Sequence, residues 1–219
     1  MELKGKKVNF LGDSITEGVG ASCFDNIYHQ VMKREYGLAE ARAYGISGTR
    51  IARQTKPSDW EKFDHDFCER YETMDDDADI VVVFGGTNDF GHGDAPIGNI
   101  NDRTPYTFYG ALRYLFEGLI NKYPAATIVM MTPMHRYNDE STRGDGEKPY
   151  NCGTLRDYVN VIREVADYYS IPVMDLYANS GIYPMLDAHR ERYTIDGLHP
   201  NDLGNEVIAH RLGNFLLAY

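Results

Sequence analysis

No apolar run in the chain approaches the ~20 residues that a membrane-crossing helix needs. Residues 1–7 lead at once into a strand-like 8–11, which leaves no room for a secretory signal, so a cytoplasmic protein is expected. Positive charge is also short. Lys and Arg number 22 against 33 Asp and Glu, a formal charge of −11, which repels a phosphate backbone or an anionic bilayer and excludes nucleic acid and membrane as expected partners. Cysteine is scarce: Cys23, Cys68 and Cys152 are odd in number and widely spaced, against a disulfide framework or a zinc site. Low-complexity tracts, internal repeats and interdomain linkers are missing too. What remains is ordinary globular chemistry, 42% hydrophobic and 25% charged in 219 residues. A chain of this size buries roughly 70% of its unfolded surface and needs no staple, so one domain over residues 1–219 is expected.

Strand-like and helix-like segments alternate throughout. Residues 8–11 are apolar and stopped by Gly12, and Ile27, Val31 and Met32 begin a helical spacing that ends near Gly37. A second strand is read at 41–46. Trp60, Phe63, Phe67 and Tyr71 have the spacing of one helix face, and the acidic 75–79 reads as a solvated face or helix start. The run 80–84, Ile-Val-Val-Val-Phe, lacks polar alternation, as a strand covered on both faces should. Phe108, Leu112, Leu115, Leu119 and Tyr123 then mark a helix, 127–131 a strand, and residues 155–169 the clearest amphipathic stripe. A short strand at 172–176 and a helix from about Asp202 complete the series. Five strands separated by helices predict a doubly wound parallel sheet in a three-layer α/β/α sandwich. In such sheets ligands bind beyond the carboxyl ends of the strands, which directs attention to the loops after Gly12, Gly85 and Pro133. The polar stretches 90–103 and 134–152 are longer than usual connections and are candidates for shaping a site.

Four strand-end loops carry reactive groups. Gly12-Asp13-Ser14-Ile15 puts a serine at the sheet edge, as a nucleophile or simply as a helix cap. Asp196-Gly197-Leu198-His199-Pro200 sets a carboxylate three residues before an imidazole; it can fix the Nδ1–H tautomer and free Nε2 as a base, or serve only as a capping carboxylate. Gly85-Gly86-Thr87-Asn88-Asp89 offers an amide to a developing oxyanion, or forms a plain Gly-Asn turn. Gly45-Ile46-Ser47-Gly48 offers a backbone N–H at Gly48, with Ser47 as rival nucleophile. Among other histidines, His29, His65 and His210 fall in helical stretches, while His92, His135 and His189 lack an orienting carboxylate in a comparable turn.

Taken as an ordered set, Gly12-Asp13-Ser14-Ile15, Ser47-Gly48, Gly86-Thr87-Asn88-Asp89 and Asp196-Gly197-Leu198-His199-Pro200 resemble the four blocks of the SGNH (GDSL-type) hydrolases, over residues 8 to about 215. The resemblance implies a flavodoxin-like fold and a serine esterase without metal or organic cofactor. It implies Ser14 as nucleophile, His199 as base and Asp196 as its partner, with the N–H groups of Ser14 and Gly48 and the amide of Asn88 as oxyanion hole. Ala43 departs from the family, whose members often carry Asn there.

No Gly-x-Ser-x-Gly elbow exists, so the α/β-hydrolase version of this chemistry is disfavoured. A flavin- or phosphate-binding module competes poorly, because Asp13 and Glu17 would oppose an anion. A metal hydrolase built on Asp13, Asp196 and His199 lacks the helix spacing of zinc sites. Substrate is expected to be a small-molecule or glycan ester with a short acyl group, such as acetyl on a sugar. The long loops are polar, Asp13, His135 and Arg136 are candidate substrate contacts, and Tyr makes up 17 of 27 aromatics. Lipase, lysophospholipase and thioesterase activities of the same family are the alternatives.

Overall fold

The apolar run at 80–84 forms β3 (Ile80–Phe84), with no side chain more than 2% exposed. Its pleat divides the core. Val81 and Val83 enter the layer beneath the helices Phe108–Lys122 and Leu155–Tyr168, while Ile80, Val82 and Phe84 enter the opposite layer, beneath Tyr28–Tyr36 and Asp202–Ala218. Burial of each such side chain is worth about 1.5–3 kcal/mol, so this strand alone anchors both layers.

The computed structural model describes residues 1–146, 148 and 151–219; part of the long 134–152 stretch, residues 147, 149 and 150, lies outside the described residues. In chain order the elements are β1 (Lys7–Gly12), α1 (Ser14–Glu17), α2 (Tyr28–Tyr36), β2 (Glu40–Gly45), α3 (Phe67–Arg70), β3, α4 (Thr87–Gly91), α5 (Phe108–Lys122), β4 (Thr127–Met131), α6 (Leu155–Tyr168), β5 (Val173–Met174), α7 (Leu176–Asn179), α8 (Asp187–Tyr193) and α9 (Asp202–Ala218). The sheet is parallel with order β2-β1-β3-β4-β5. This is the flavodoxin-like winding, whose direction switches between β1 and β3, where Gly12 lies opposite Phe84. Among the described residues no helix is long and apolar enough to cross a membrane.

The long helices start where side chains satisfy their exposed N–H groups: Thr107 accepts from Gly110, a Thr154/Asp157 capping box opens α6, and Asn201 accepts from Gly204.

Two expectations fail locally. Trp60, Phe63, Phe67 and Tyr71 do not share a helix face. The segment breaks into a 3-10 turn Glu61–Asp64, the single-turn α3 and a 3-10 turn Tyr71–Thr73, and His65 lies between elements. Two carboxylates impose the breaks: Asp64 accepts from the N–H and hydroxyl of Ser58, closing one turn, and Asp66 accepts from Glu69 N–H, starting another. Of the two readings of the acidic 75–79, the solvated face holds and the helix start does not: Asp75, Asp76 and Asp77 are exposed, Asp77 pairs with Lys7 and Arg42, and Asp79 with Lys6, at the amino ends of β1 and β2. Of the strand read at 172–176, Val173–Met174 pairs and Asp175 caps α7 instead.

Candidate active site

β1 passes into α1 within one residue. Asp13 is the cap, its carboxylate accepting from Ile15 N–H at 3.1 Å, so Ser14 is the first helical residue rather than the cap. Its Oγ stands at the sheet edge with the residue 5% exposed. On the opposite bank, the turn before α9 is closed by Ile195 N–H on His199 O at 2.9 Å and by Tyr137 N–H on Gly197 O at 2.8 Å. That turn brings His199 Nε2 to 2.9 Å from Ser14 Oγ across 185 residues of sequence. Asp196 Oδ2 lies 2.6 Å from His199 Nδ1, and its Oδ1 accepts from the N–H groups of Leu198 at 2.9 Å and His199 at 2.7 Å. Partial burial opposes ionisation of Asp196, but the hydrogen bonds from His199 and Leu198 outweigh it and hold the carboxyl below its ordinary range. An ionised Asp196 can only accept, so Nδ1 carries a proton, and Nε2 is the ring nitrogen turned to the serine hydroxyl.

Three potential donors line the same cleft as His199. Ser14 N–H, at the start of α1, and Gly48 N–H have no acceptor among the described residues. Gly48 adopts φ +75°, a conformation open to glycine, in a turn where Thr49 N–H returns to Ile46 O. Glu17 fixes that turn from outside: its carboxylate accepts from Ser47 N–H at 2.6 Å and from the Ser47 hydroxyl. Ser47, the rival nucleophile, is thus committed to a carboxylate and not to an imidazole. Asn88, in the first turn of α4, gives one amide hydrogen to Thr49 O at 2.9 Å, which orients the amide and leaves its second hydrogen available. Asp89 completes the brace, its buried carboxylate accepting from Ile51 N–H at 3.0 Å and Ala52 N–H at 2.8 Å. A serine hydroxyl hydrogen-bonded to an imidazole, in a cleft that also holds N–H donors without acceptors, has the parts needed to attack a carbonyl and receive the resulting oxyanion.

The family model of the GDSL-like lipases/acylhydrolases matches residues 10–207. The chain belongs to this family. Its members are ester hydrolases, and the five-stranded α/β fold agrees. A solved structure from Lactobacillus plantarum is 31% identical, with 99% of this chain and 98% of that one aligned at a TM-score of 0.84. A lipase/acylhydrolase from Enterococcus faecalis is 22% identical over 96% of this chain and 95% of that one, TM-score 0.63. An acetyl xylan esterase is 23% identical over 96% and 99%, TM-score 0.58. These last two likenesses show the fold alone. No curated protein matches the chain by sequence.

Ser14, Gly48, Asn88 and His199 of this GDSL-family chain all open onto one cleft of about 610 Å³. The three expected substrate contacts are placed elsewhere. Asp13 is 2% exposed and turned inward as a cap, and desolvation raises its carboxyl to about 6. Arg136 is 7% exposed and buried against Phe90 and Thr87, and it grips Asp145. His135 does have an orienting carboxylate, contrary to expectation: Asp139 accepts from Nδ1 at 2.5 Å, one helical turn of spacing away, and Tyr177 covers the ring at 3.8 Å. That pair opens onto a separate cavity with Arg156 and Tyr183.

The cleft is walled by residues that local sequence signals did not single out. Trp60 and Phe63 form its lip, and Arg50, His92 and Asp145 a polar side. Arg50 is 4% exposed, bonded to His92 Nδ1 at 3.1 Å, Phe63 O at 2.9 Å and Asp64 at 3.1 Å. The one available signal was its place directly after Ser47-Gly48-Thr49. Among the described residues no group of three or more His, Cys, Asp or Glu side chains is arranged to hold a metal ion, and the Asp13 carboxylate is committed to its cap.

Proposed function

We propose that this GDSL-family hydrolase is a serine esterase that removes short acyl groups, acetyl foremost, from carbohydrate alcohols. The observation that carries the reading is the continuous chain Ser14 Oγ, His199 Nε2, His199 Nδ1, Asp196, with links of 2.9 and 2.6 Å, opening onto the cleft. His199 takes the Ser14 proton as Oγ attacks the ester carbonyl, and the N–H groups of Ser14 and Gly48 with the Asn88 amide receive the oxyanion. The imidazolium, held by Asp196, protonates the departing alcohol; water then enters the same path and releases the acid.

The alcohol side of the reading rests on the cleft wall. An exposed indole beside Ser58, Asp59, Arg50 and Asp145 suits a polar ring with hydroxyls better than an alkyl chain, because apolar sites for long chains are lined continuously with apolar groups. The acetyl xylan esterase among the structural neighbours is compatible with this substrate class. The test is a series of p-nitrophenyl esters from acetyl to decanoyl beside acetylated xylan and mannan fragments. Each methylene in a fitting apolar pocket is worth about 0.8 kcal/mol, so a lipase would show kcat/KM climbing with chain length. The expected result is a fall beyond butyryl with release of acetate from the glycans; a steady climb to decanoyl refutes the short-acyl reading and selects the lipase branch.

A further inference from the structure

Two of the three N–H donors assigned above to the oxyanion hole, those of Ser14 and Gly48, are carried by segments with a common support. Arg70, the last residue of α3, is 7% exposed, with its guanidinium against the Phe67 ring at 4.8 Å. It donates to Tyr44 O at 2.6 Å, to Gly12 O at 2.9 Å and to the Thr49 hydroxyl at 2.8 Å, while Nε donates to His65 O at 3.0 Å. Gly12 ends β1 two residues before Ser14, Tyr44 is the next-to-last residue of β2, and Thr49 follows Gly48. One planar fork thus ties the end of β1, the end of β2 and the turn after it. The Thr49 hydroxyl passes the contact on, donating to Ile46 O at 2.6 Å.

The character of these partners is the second observation. Every one is a neutral oxygen, and among the described residues no carboxylate lies within ion-pair distance of Arg70. Burial pulls the guanidinium down to about 10, which still leaves it cationic at neutral pH. The carboxylates of Asp13, Asp66, Glu69 and Glu17 stabilise the charge only through space, without an ion pair, and a buried cation so placed is a poor choice for stability alone, since an apolar side chain of similar volume fills such a space at lower cost. The cation instead donates to Gly12 O, two residues before Ser14, and to the hydroxyl of Thr49, next to Gly48, and planar donors on three acceptors fix geometry in a way an ammonium cannot.

We propose that Arg70 is a positioning residue for the oxyanion hole, locking the ends of β1 and β2 at the separation at which the N–H groups of Ser14 and Gly48 converge. The proposal rests on the esterase reading above. It acts through the backbone and touches no substrate, so its loss should spare ground-state binding and weaken transition-state binding.

The experiment compares Arg70→Met, Arg70→Lys and Thr49→Val with the parent, and with Arg42→Met as a control for loss of a cation at the far end of β2, where Arg42 pairs with Asp77. The readouts are kcat and KM on p-nitrophenyl acetate, inhibition by phenylboronic acid, which adds to a serine hydroxyl as a tetrahedral anion, and near-ultraviolet circular dichroism for folding. Arg70→Met should lower kcat by about tenfold to a hundredfold, less than the ~10²–10³ of outright donor removal, with KM within about twofold and boronate affinity falling in parallel. Arg70→Lys keeps the charge, loses the fork and should recover only part of the rate. Thr49→Val should show a smaller loss of the same kind, and Arg42→Met none. A folded Arg70→Met that keeps its kcat, loses only KM or binds boronate as before overturns the proposal. If Arg70→Met does not fold, Arg70→Lys and Thr49→Val decide by the same criteria. Ser14→Ala, assayed alongside, separates the two ideas: activity surviving there defeats the esterase reading itself, whereas an inactive Ser14→Ala with unaffected Arg70 variants defeats the positioning role alone.

Discussion

Replacing Asn88 by Ala removes one side chain with two separable jobs, and the structure assigns a magnitude to each. One amide hydrogen holds Thr49 O at 2.9 Å, and the other is left free in the cleft that Asn88 shares with Ser14, where the proposed mechanism uses it. Loss of the second should cost ~10²–10³ in kcat, or about 2.7–4 kcal/mol of transition-state stabilisation. Loss of the first leaves a buried carbonyl without its donor, a stability cost of about 1–3 kcal/mol. Asn88→Asp goes further in the catalytic measure: the new carboxylate meets the Thr49 carbonyl, an acceptor it cannot bond, and repels the developing oxyanion, so kcat should fall below that of Asn88→Ala at neutral pH. Steady-state kinetics on p-nitrophenyl acetate report the first effect and urea unfolding the second. KM should change by less than about threefold, because the donor meets full negative charge only in the transition state. A loss carried by KM with kcat intact, or a kcat within about fivefold of the parent, would falsify the oxyanion role of Asn88.

Ser14→Ala should leave a folded protein with essentially no esterase activity, while Ser47→Ala, which loses only its hydrogen bond to Glu17, should keep most of it; the reverse pattern moves the nucleophile to Ser47. His29 predicts a pH dependence of stability. The ring is fully buried, with Nε2 on Thr16 O at 3.1 Å and Nδ1 accepting from Gln30 at 2.9 Å, and desolvation lowers its pKa from 6.5 to about 4. The unfolded chain takes up the proton first, so stability from neutral His29 is fully present above pH 6.5 and is lost as pH falls through 4. Two and a half units amount to about 3 kcal/mol at most. His29→Gln should flatten this part of the unfolding free energy between pH 7 and 4.5, and parallel profiles for the two proteins would rule the mechanism out.

Much of the scaffold could be read before any coordinates, for reasons visible in particular segments. Residues 80–84 are a strand to the residue because an unbroken apolar run between polar ends has one place to go in a doubly wound sheet. α5 and α6 are long enough for their stripes to outvote noise. The stretch around Trp60 and Phe67 misled because its aromatics have helical spacing while Ser58, Asp64 and Asp66 spend their side chains on the local backbone and break it into turns. Ser14, Asn88 and His199 could be placed because each belongs to a short block whose order survives in the chain. Arg70 and Asp145 could not: one grips Gly12 across 58 residues and the other shares the cleft with Ser14, and neither carries a local pattern. Asp13 was ambiguous for a related reason, since Asp before a serine at a strand end reads equally as ligand or cap, and the structure places it as a buried cap.

The chain holds a single tryptophan, and it stands two-thirds exposed on the lip of the cleft. Indole emission from this protein therefore has one address. In the free enzyme it comes from a hydrated ring, and a sugar laid on that ring displaces water, so occupancy of the cleft should appear as a blue shift without any label. In Ser14→Ala, with turnover removed, the shift becomes a direct titration of acetylated glycans against their deacetylated counterparts. Unfolding leaves an already hydrated indole hydrated, which makes the same signal a poor denaturation probe and a correspondingly clean one for ligand.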